Sequence, residues 1–398
     1  MAISLFQPAR FFHLVLGLLP FFTGWSAGQN VEPDPSISAR DRLRLWQLYI
    51  TRSADPSDEM PDRTEMVRSY LERGNDWLKK ERLDLAAEDF NIAIELDPKC
   101  AEAYHNRALA HAARGDGEAA IADFTRAIAI RSEFSQPHLG RGLVRLRNRD
   151  YDGAIMDFEA SIRIDPKIRQ DLRPQLAQAY FSRGANRHSA GDRKAASRDY
   201  AMVIELGGRL SNRPEESGLR KFLAATYNNR GNLRREEGKF EEALADYTRA
   251  VELNGLLPEA YQNRAAVRNT LGDTEGAIAD STRALQIEPN LAASYQTRGF
   301  ALFVKGELDA ALTDLNRAIE LQPGSAEPYM SRGIIRLTKG DCKEGLKDLD
   351  HALQLNPRLG PAVRSRLATA TVTPDTKVII DQWSKRRTSG RPNNQPAE

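Results

Sequence analysis

Apolar and small residues recur three and four positions apart along most of this chain, the periodicity of helices with one buried face. The runs come in pairs. Within a pair a short turn rich in Gly and Asp intervenes, at Gly115-Asp116, Gly191-Asp192, Gly238, Gly272-Asp273, Gly306 and Gly340-Asp341. After a pair comes a proline: Pro98, Pro166, Pro289, Pro323 and Pro357. Proline has no amide hydrogen to continue a helical ladder, so each closes the second helix. The pattern predicts an all-α chain of antiparallel helix hairpins.

Polar positions set the register. Arg followed by Gly or Ala returns at Arg73, Arg107, Arg141, Arg183, Arg230, Arg264, Arg298 and Arg332, at intervals of 34, 34, 42, 47, 34, 34 and 34 residues. Sixteen residues after each stands an Asp, from Asp89 and Asp123 through Asp246 and Asp280 to Asp348. The next position is Phe90, Phe124, Phe158, Tyr200, Tyr247, Ser281, Leu315 or Leu349. Three residues before each Arg is a Tyr, except at His138. Small pairs such as Gly74/Ala86 and Gly231/Ala243 fall where two helices must approach closely. A period in this range means one unit stacked on itself. In a hairpin turning near its midpoint, the Arg and the Asp fall at the same height. Ion pairs such as Arg230–Asp246 and Arg264–Asp280 are therefore expected as structural devices; the alternative is an arginine stripe awaiting an anion. Exposed pairs of this kind contribute only about 0.2–1 kcal/mol each. A second Arg one turn on (Arg145, Arg187, Arg234, Arg268, Arg336) shares the face of the first. It reads as a solvated face neutralised by nearby acids, or as a polyanion ridge.

The stretch Glu241–Asn254 and its equivalents resemble the tetratricopeptide repeat family, over Val67 to Leu359 in eight copies. The resemblance implies an α-α superhelix whose first helices line a concave groove for a peptide or a partner's helix. Ser132, Gly208 and Gly255 stand where the closing Pro is expected, and Ser281 where an aromatic is. Extra residues, Lys167 to Pro174 and Ser211 to Leu223, precede the fourth and fifth copies, where the solenoid is expected to change direction. Asn212 to Ser217 reads as a loop entering a helix.

Groove positions implied by the family carry two chemistries here. Asn228, Asn232, Gln262 and Asn269 offer side-chain amides to a peptide backbone. Leu139, Leu143, Leu146 and Phe181, then Phe300, Phe303, Met330, Ile334 and Leu337, form apolar stripes. An exposed stripe of that size marks a partner site, unless a terminal cap or a neighbouring chain covers it. Some family members clamp a partner's terminal carboxylate with Lys, Asn, Asn, Lys and Arg. Asn75 with Asn106, and Asn232 with Asn263, match the two Asn positions. The cationic positions hold Leu71, Asn228, Gln136, Ala293, Gly140 and Thr297, so the charged clamp fails and the asparagines are expected to grip main-chain amides.

Charge changes the picture little: 57 basic and 55 acidic residues leave a formal net charge of +2, which gives no reason to expect nucleic acid as a partner. Cys100 and Cys342 stand far apart in the array, too far for a bridge that needs Cα atoms within about 7 Å. Phe11 to Phe22 is an apolar run after a single basic residue, with Ser26 and Gly28 spaced for cleavage before Gln29. Residues 1–28 thus read as a signal peptide or anchor, and the chain as exported (periplasmic or secreted), at the membrane only if that segment is uncleaved. Residues 29–66 read as linker and capping helix, 67–168, 169–257 and 258–359 as repeats, and 360–398 as cap and tail. No nucleophile elbow, phosphate loop or zinc-protease motif is present; Gly115 to Ala120 imitates a dinucleotide loop but follows no strand. His105, His111 and His138 fall near one another without acidic or thiol partners assigned. No catalytic residue, cofactor or metal is expected. The oligomeric state and the partner's identity are not legible.

Overall fold

A computed structural model describes residues 63–208, 217–370 and 372–388 of the protein. The expected signal segment, the linker with most of its capping helix, most of the Asn212–Ser217 loop and the final tail lie outside the described residues. Those described fold into eighteen α-helices and no strand.

The helices pair in order: α1 (Arg63–Lys79) with α2 (Leu83–Leu96), α3 (Ala101–Arg114) with α4 (Gly117–Ile130), and α5 (Ser135–Arg147) with α6 (Tyr151–Ile164). Next come α7 (Arg169–Ser189) with α8 (Arg193–Gly207), α9 (Ser217–Glu236) with α10 (Phe240–Leu253), and α11 (Pro258–Leu271) with α12 (Thr274–Ile287). The last hairpins are α13 (Ala292–Lys305) with α14 (Leu308–Leu321) and α15 (Ala326–Thr338) with α16 (Cys342–Leu355), followed by α17 (Gly360–Thr369) and α18 (Pro374–Thr388). The chain divides into two compact units between Arg183 and Gly184, within α7. In each unit a hairpin's two helices pack on one another, and its second helix packs on the first helix of the next hairpin. This is the α-α solenoid, whose core lies between neighbours instead of at one centre.

The turns and ends follow from backbone chemistry. In six hairpins the turn residue is a Gly at φ between 76° and 95°, the left-handed conformation that closes a helix without a Cβ penalty. Glu81 and Arg149 take that place in the first and third hairpins, at φ 58° and 64°. Second helices end on an extended residue, such as Asp97, Asp165, Glu288 or Asn356. A following proline imposes that conformation sterically. Arg131 and Asn254 adopt it without one, so the stacking enforces the break there too. The extra residues before the fourth hairpin are taken up in helix: α7 runs for 21 residues, with Pro174 in its second turn where only the early ladder is lost.

Small-against-large packing fills the hairpins. Phe90, Phe124, Phe158, Tyr200, Tyr247, Leu315 and Leu349 are fully buried, and the first helix offers them a glycine or alanine. A Cβ built on Gly231 would stand 2.7 Å from the Tyr247 ring, so the close approach of α9 and α10 requires glycine. Less able to yield is the neighbour of Gly333, where the nearest atom would be the backbone carbonyl oxygen of Gly345 at 2.8 Å.

The Arg/Asp rhythm is a hydrogen-bonded ladder. Arg230 donates through Nε and Nη2 to the two oxygens of Asp246 at 2.9 and 2.7 Å, and Arg264 does the same to Asp280 at 2.8 and 2.7 Å. The aspartates are buried, not exposed: Asp246 retains 3% of its surface. Each is therefore a charge removed from water and compensated in place, unlike a surface pair of small value. The second arginines join the same carboxylates: Arg145, Arg187, Arg234, Arg268 and Arg336 reach Asp157, Asp199, Asp246, Asp280 and Asp348 at 2.8–2.9 Å. They are committed to the ladder rather than forming a free polyanion ridge. The recurrent tyrosine lies under the guanidinium, as Tyr227 does beneath Arg230 at 5.3 Å. A third link runs backwards. Arg107, Arg141, Arg264, Arg298 and Arg332 donate through Nη1 to Asn91, Thr125, Thr248, Thr282 and Asn316 of the preceding hairpin. One side chain thus braces its own hairpin and fixes that hairpin's register on the preceding one. At Asp157, burial opposes ionisation, yet hydrogen bonds from His138 and Arg141 hold its carboxyl below the usual range.

Candidate functional site

First helices carry the side chains assigned to the groove, and the structure sorts them. In the first unit, Asn106 Nδ2 donates to Asn75 Oδ1 at 2.9 Å, tying α3 to α1. That bond leaves the Asn75 Nδ2 and the Asn106 Oδ1 without a protein partner among the described residues. In the second unit, Asn263 Nδ2 donates to Asn228 Oδ1 at 3.0 Å, and the Tyr247 hydroxyl donates to Asn232 Oδ1 at 2.7 Å. Asn269 Nδ2 donates to the Thr297 carbonyl at 3.0 Å. The asparagines thus spend half of each amide on neighbouring helices. What they present outward is the Asn232 N–H group, the Asn263 oxygen and the uncommitted amide of Gln262. Asn228 is buried and belongs to the seam, not to an accessible row.

The apolar stripes are corrected more strongly. Leu139 and Leu143 retain 5% and 2% of their surface. First helices of successive hairpins touch along this side, and leucines at these positions are drawn into that seam. Phe181 is half-buried. Met330, Ile334 and Leu337 retain 4%, 1% and 0%. They join a core cluster with Val363 and Leu367 of α17 and Ile380 of α18, against which Phe303 and Trp383 also pack. The C-terminal helices therefore cover the apolar end of the last hairpin, the arrangement that lets a solenoid terminate in water. Phe300 and Phe303 remain half-buried at the edge of that cover.

Beside the covered face is an open cleft of about 370 Å³, lined by Asn269, Thr270, Gln296, Thr297, Phe300, Glu327, Ser331 and Arg366 among others. Its walls come from α11, α13, α15 and α17. Gln296 and Arg366 were not among the sequence-derived groove residues. Gln296 occupies in the seventh hairpin the position that Gln262 holds in the sixth, so the family's position rule reaches it. Arg366 lies beyond the repeats and carries a negative signal: sixteen residues on stands Gln382, not Asp. Its guanidinium lies over the Phe300 ring at 4.7 Å, and burial lowers its pKa from the ordinary arginine value. No group of three or more His, Cys, Asp or Glu among the described residues is placed to hold a metal ion. His105 is instead a core residue between the Phe124 and Phe134 rings, its pKa lowered to about 3 by burial. Both cysteines are free. None of the described helices is long and apolar enough to cross a membrane.

Stacked helix hairpins with a recurring internal ladder and a row of open amides along the first helices define an α-α solenoid repeat protein. Family models described as the tetratricopeptide repeat match residues 71–135, 224–255 and 258–291. Over those residues the chain carries tetratricopeptide repeats. Among solved structures, the crystal structure of MamA is 23% identical, with 44% of this chain and 95% of that one covered and a TM-score of 0.36. The APC/C hetero-tetramer Cut9-Hcn1 is 17% identical over 84% of this chain and 60% of that one, at a TM-score of 0.40. The TPR2AB domain of yeast Sti1, in a complex with pHSP90, is 21% identical over 73% of this chain and 99% of that one, at 0.33. No curated protein matches the sequence.

Proposed function

We propose that the protein is a non-enzymatic interaction scaffold that holds an extended peptide segment of a partner protein along its first helices. The observation that carries this reading is the set of half-committed amides. Asn75/Asn106 in one unit, and Asn232, Gln262, Asn263 and Gln296 in the other, are fixed by bonds or packing to their neighbours and keep unused donors and acceptors. An extended backbone offers the complementary groups at regular intervals, and fixed amides meet it at little entropic cost. Balanced charge argues for protein rather than nucleic acid as partner. The apolar run Phe11–Phe22 supports export, with cleavage before Gln29.

A second reading has one observation in its favour. The C-terminal helices occupy the apolar face of the last hairpin, as in an assembly subunit whose groove is permanently filled. Affinity capture with the full chain and with Asn232→Ala/Gln262→Ala/Gln296→Ala, followed by light scattering, separates the two. A partner that is lost from the triple variant while the melt is unchanged supports the scaffold. Equal capture by both proteins refutes the groove assignment. Mass spectrometry of the protein made in its own host tests export: a mature terminus at Gln29 is expected, and retention of Met1 in a cytosolic fraction overturns it.

A further inference from the structure

We infer that Arg366 of α17 is an acid-reading residue. It selects, from extended peptides bound by the scaffold proposed above, those that place an internal Asp or Glu beside an apolar side chain. The contrast with the rest of the molecule motivates this. Repeat arginines such as Arg73, Arg141, Arg230 and Arg332 chelate the carboxylate of an Asp sixteen residues on, whereas the Arg366 guanidinium has no hydrogen-bond or ion-pair partner among the described residues. The guanidinium lies instead over the Phe300 ring, at 4.7 Å. A guanidinium partly removed from water without an anion is a cost to the free protein. An incoming carboxylate offsets that cost through a bidentate pair, whose geometry suits Arg specifically.

The placement says which carboxylate. Arg366 and Phe300 are shared by two clefts, the polar one with Gln296 and Ser331 and an apolar one of about 500 Å³ with Phe303, Val304 and Ile334. Val304 is 57% exposed on the apolar side, where an incoming apolar side chain can pack on it. A chain crossing both clefts passes over Arg366 and does not end there, which favours a side-chain carboxylate over a terminal one. Glu327 also lines the polar cleft but makes no ion pair with Arg366; it accepts from the Ser325 hydroxyl at 3.3 Å.

The test uses the full chain and two fluorescent oriented libraries of C-terminally amidated nonapeptides. One has a central Glu with Leu or Phe within two residues, and the other has Gln in place of Glu. The first is expected to bind roughly 10- to 100-fold more tightly, the range of a hydrogen-bonded charge pair. Arg366→Gln should abolish that preference and weaken it no further. The same variant should melt at the same temperature as the parent or higher, because an uncompensated charge is gone; a purely structural role on Phe300 would lower the melt. A third library with a free C-terminus and no internal acid tests the other source of carboxylate. Its preferential binding overturns the proposal, as does an equal affinity for Glu and Gln. If peptides bind regardless of Glu or Arg366 but are lost in Asn232→Ala/Gln262→Ala/Gln296→Ala, the inference falls and the scaffold stands. If no library binds, both fall.

Discussion

Removing Arg230 and Arg234 together should destabilise the protein more than removing Asp246 along with them. Asp246 keeps 3% of its surface, accepts two hydrogen bonds from Arg230 and is ion-paired with Arg234 at 2.8 Å. The arginine side chains keep 19% and 26% of theirs, so they can turn to water when the carboxylate is gone, whereas the carboxylate cannot. Arg230→Ala removes two charge-assisted bonds and should cost about 2 kcal/mol, with Arg234→Ala nearer 1 kcal/mol. The double variant strands a buried anion, a situation that costs roughly 3–5 kcal/mol, so it should exceed the sum of the singles. Adding Asp246→Ala to the double variant removes the stranded charge and should restore about 1–2 kcal/mol. Urea titrations followed by helical circular dichroism measure all four, and hydrogen exchange in α9 and α10 localises the loss. A triple variant no more stable than the double would refute the reasoning, since the ladder would then be tolerated rather than required. Partner capture by Arg230→Ala should remain at the level of the parent, because the side chain points into the hairpin pair and not along the amide row.

Two further outcomes follow from single positions. Arg149 holds a left-handed turn that glycine holds in six other hairpins, so Arg149→Gly should raise stability by about 1 kcal/mol, read as a shift in urea midpoint at constant slope; no shift would mean that the turn carries no strain. His105 is neutral in the fold, with its pKa lowered from 6.5 to about 3 by burial, so the unfolded chain binds the extra proton between those values. Its contribution is complete above pH 6.5 and is lost as pH falls, at up to about 1.4 kcal/mol per unit. His105→Phe should flatten the midpoint between pH 6.5 and 4.5, a window above the range in which Asp157 takes up its proton. An unchanged slope would show that another group controls acid unfolding.

Sequence by itself determined the fold. A 34-residue period, paired small and aromatic positions, and Gly and Pro at fixed offsets are local constraints that every hairpin repeats, so the recurrence announces the solenoid. The sixteen-residue Arg–Asp spacing was likewise visible as a rhythm. Its burial, its second arginine and its backward link to the preceding hairpin were not, because these depend on how far neighbouring helices close over the pair. The groove was where linear reasoning reached least. Leu139, Leu143, Met330 and Ile334 occupy groove positions by number, yet the approach of adjacent first helices and the docking of α17 and α18 bury them. Periodicity tells which side of a helix a residue faces, not which other element will cover that side. Arg366 is the converse case: outside the period, unremarked in the chain, and given its meaning only when α17 carries it over Phe300 without an acid to meet it.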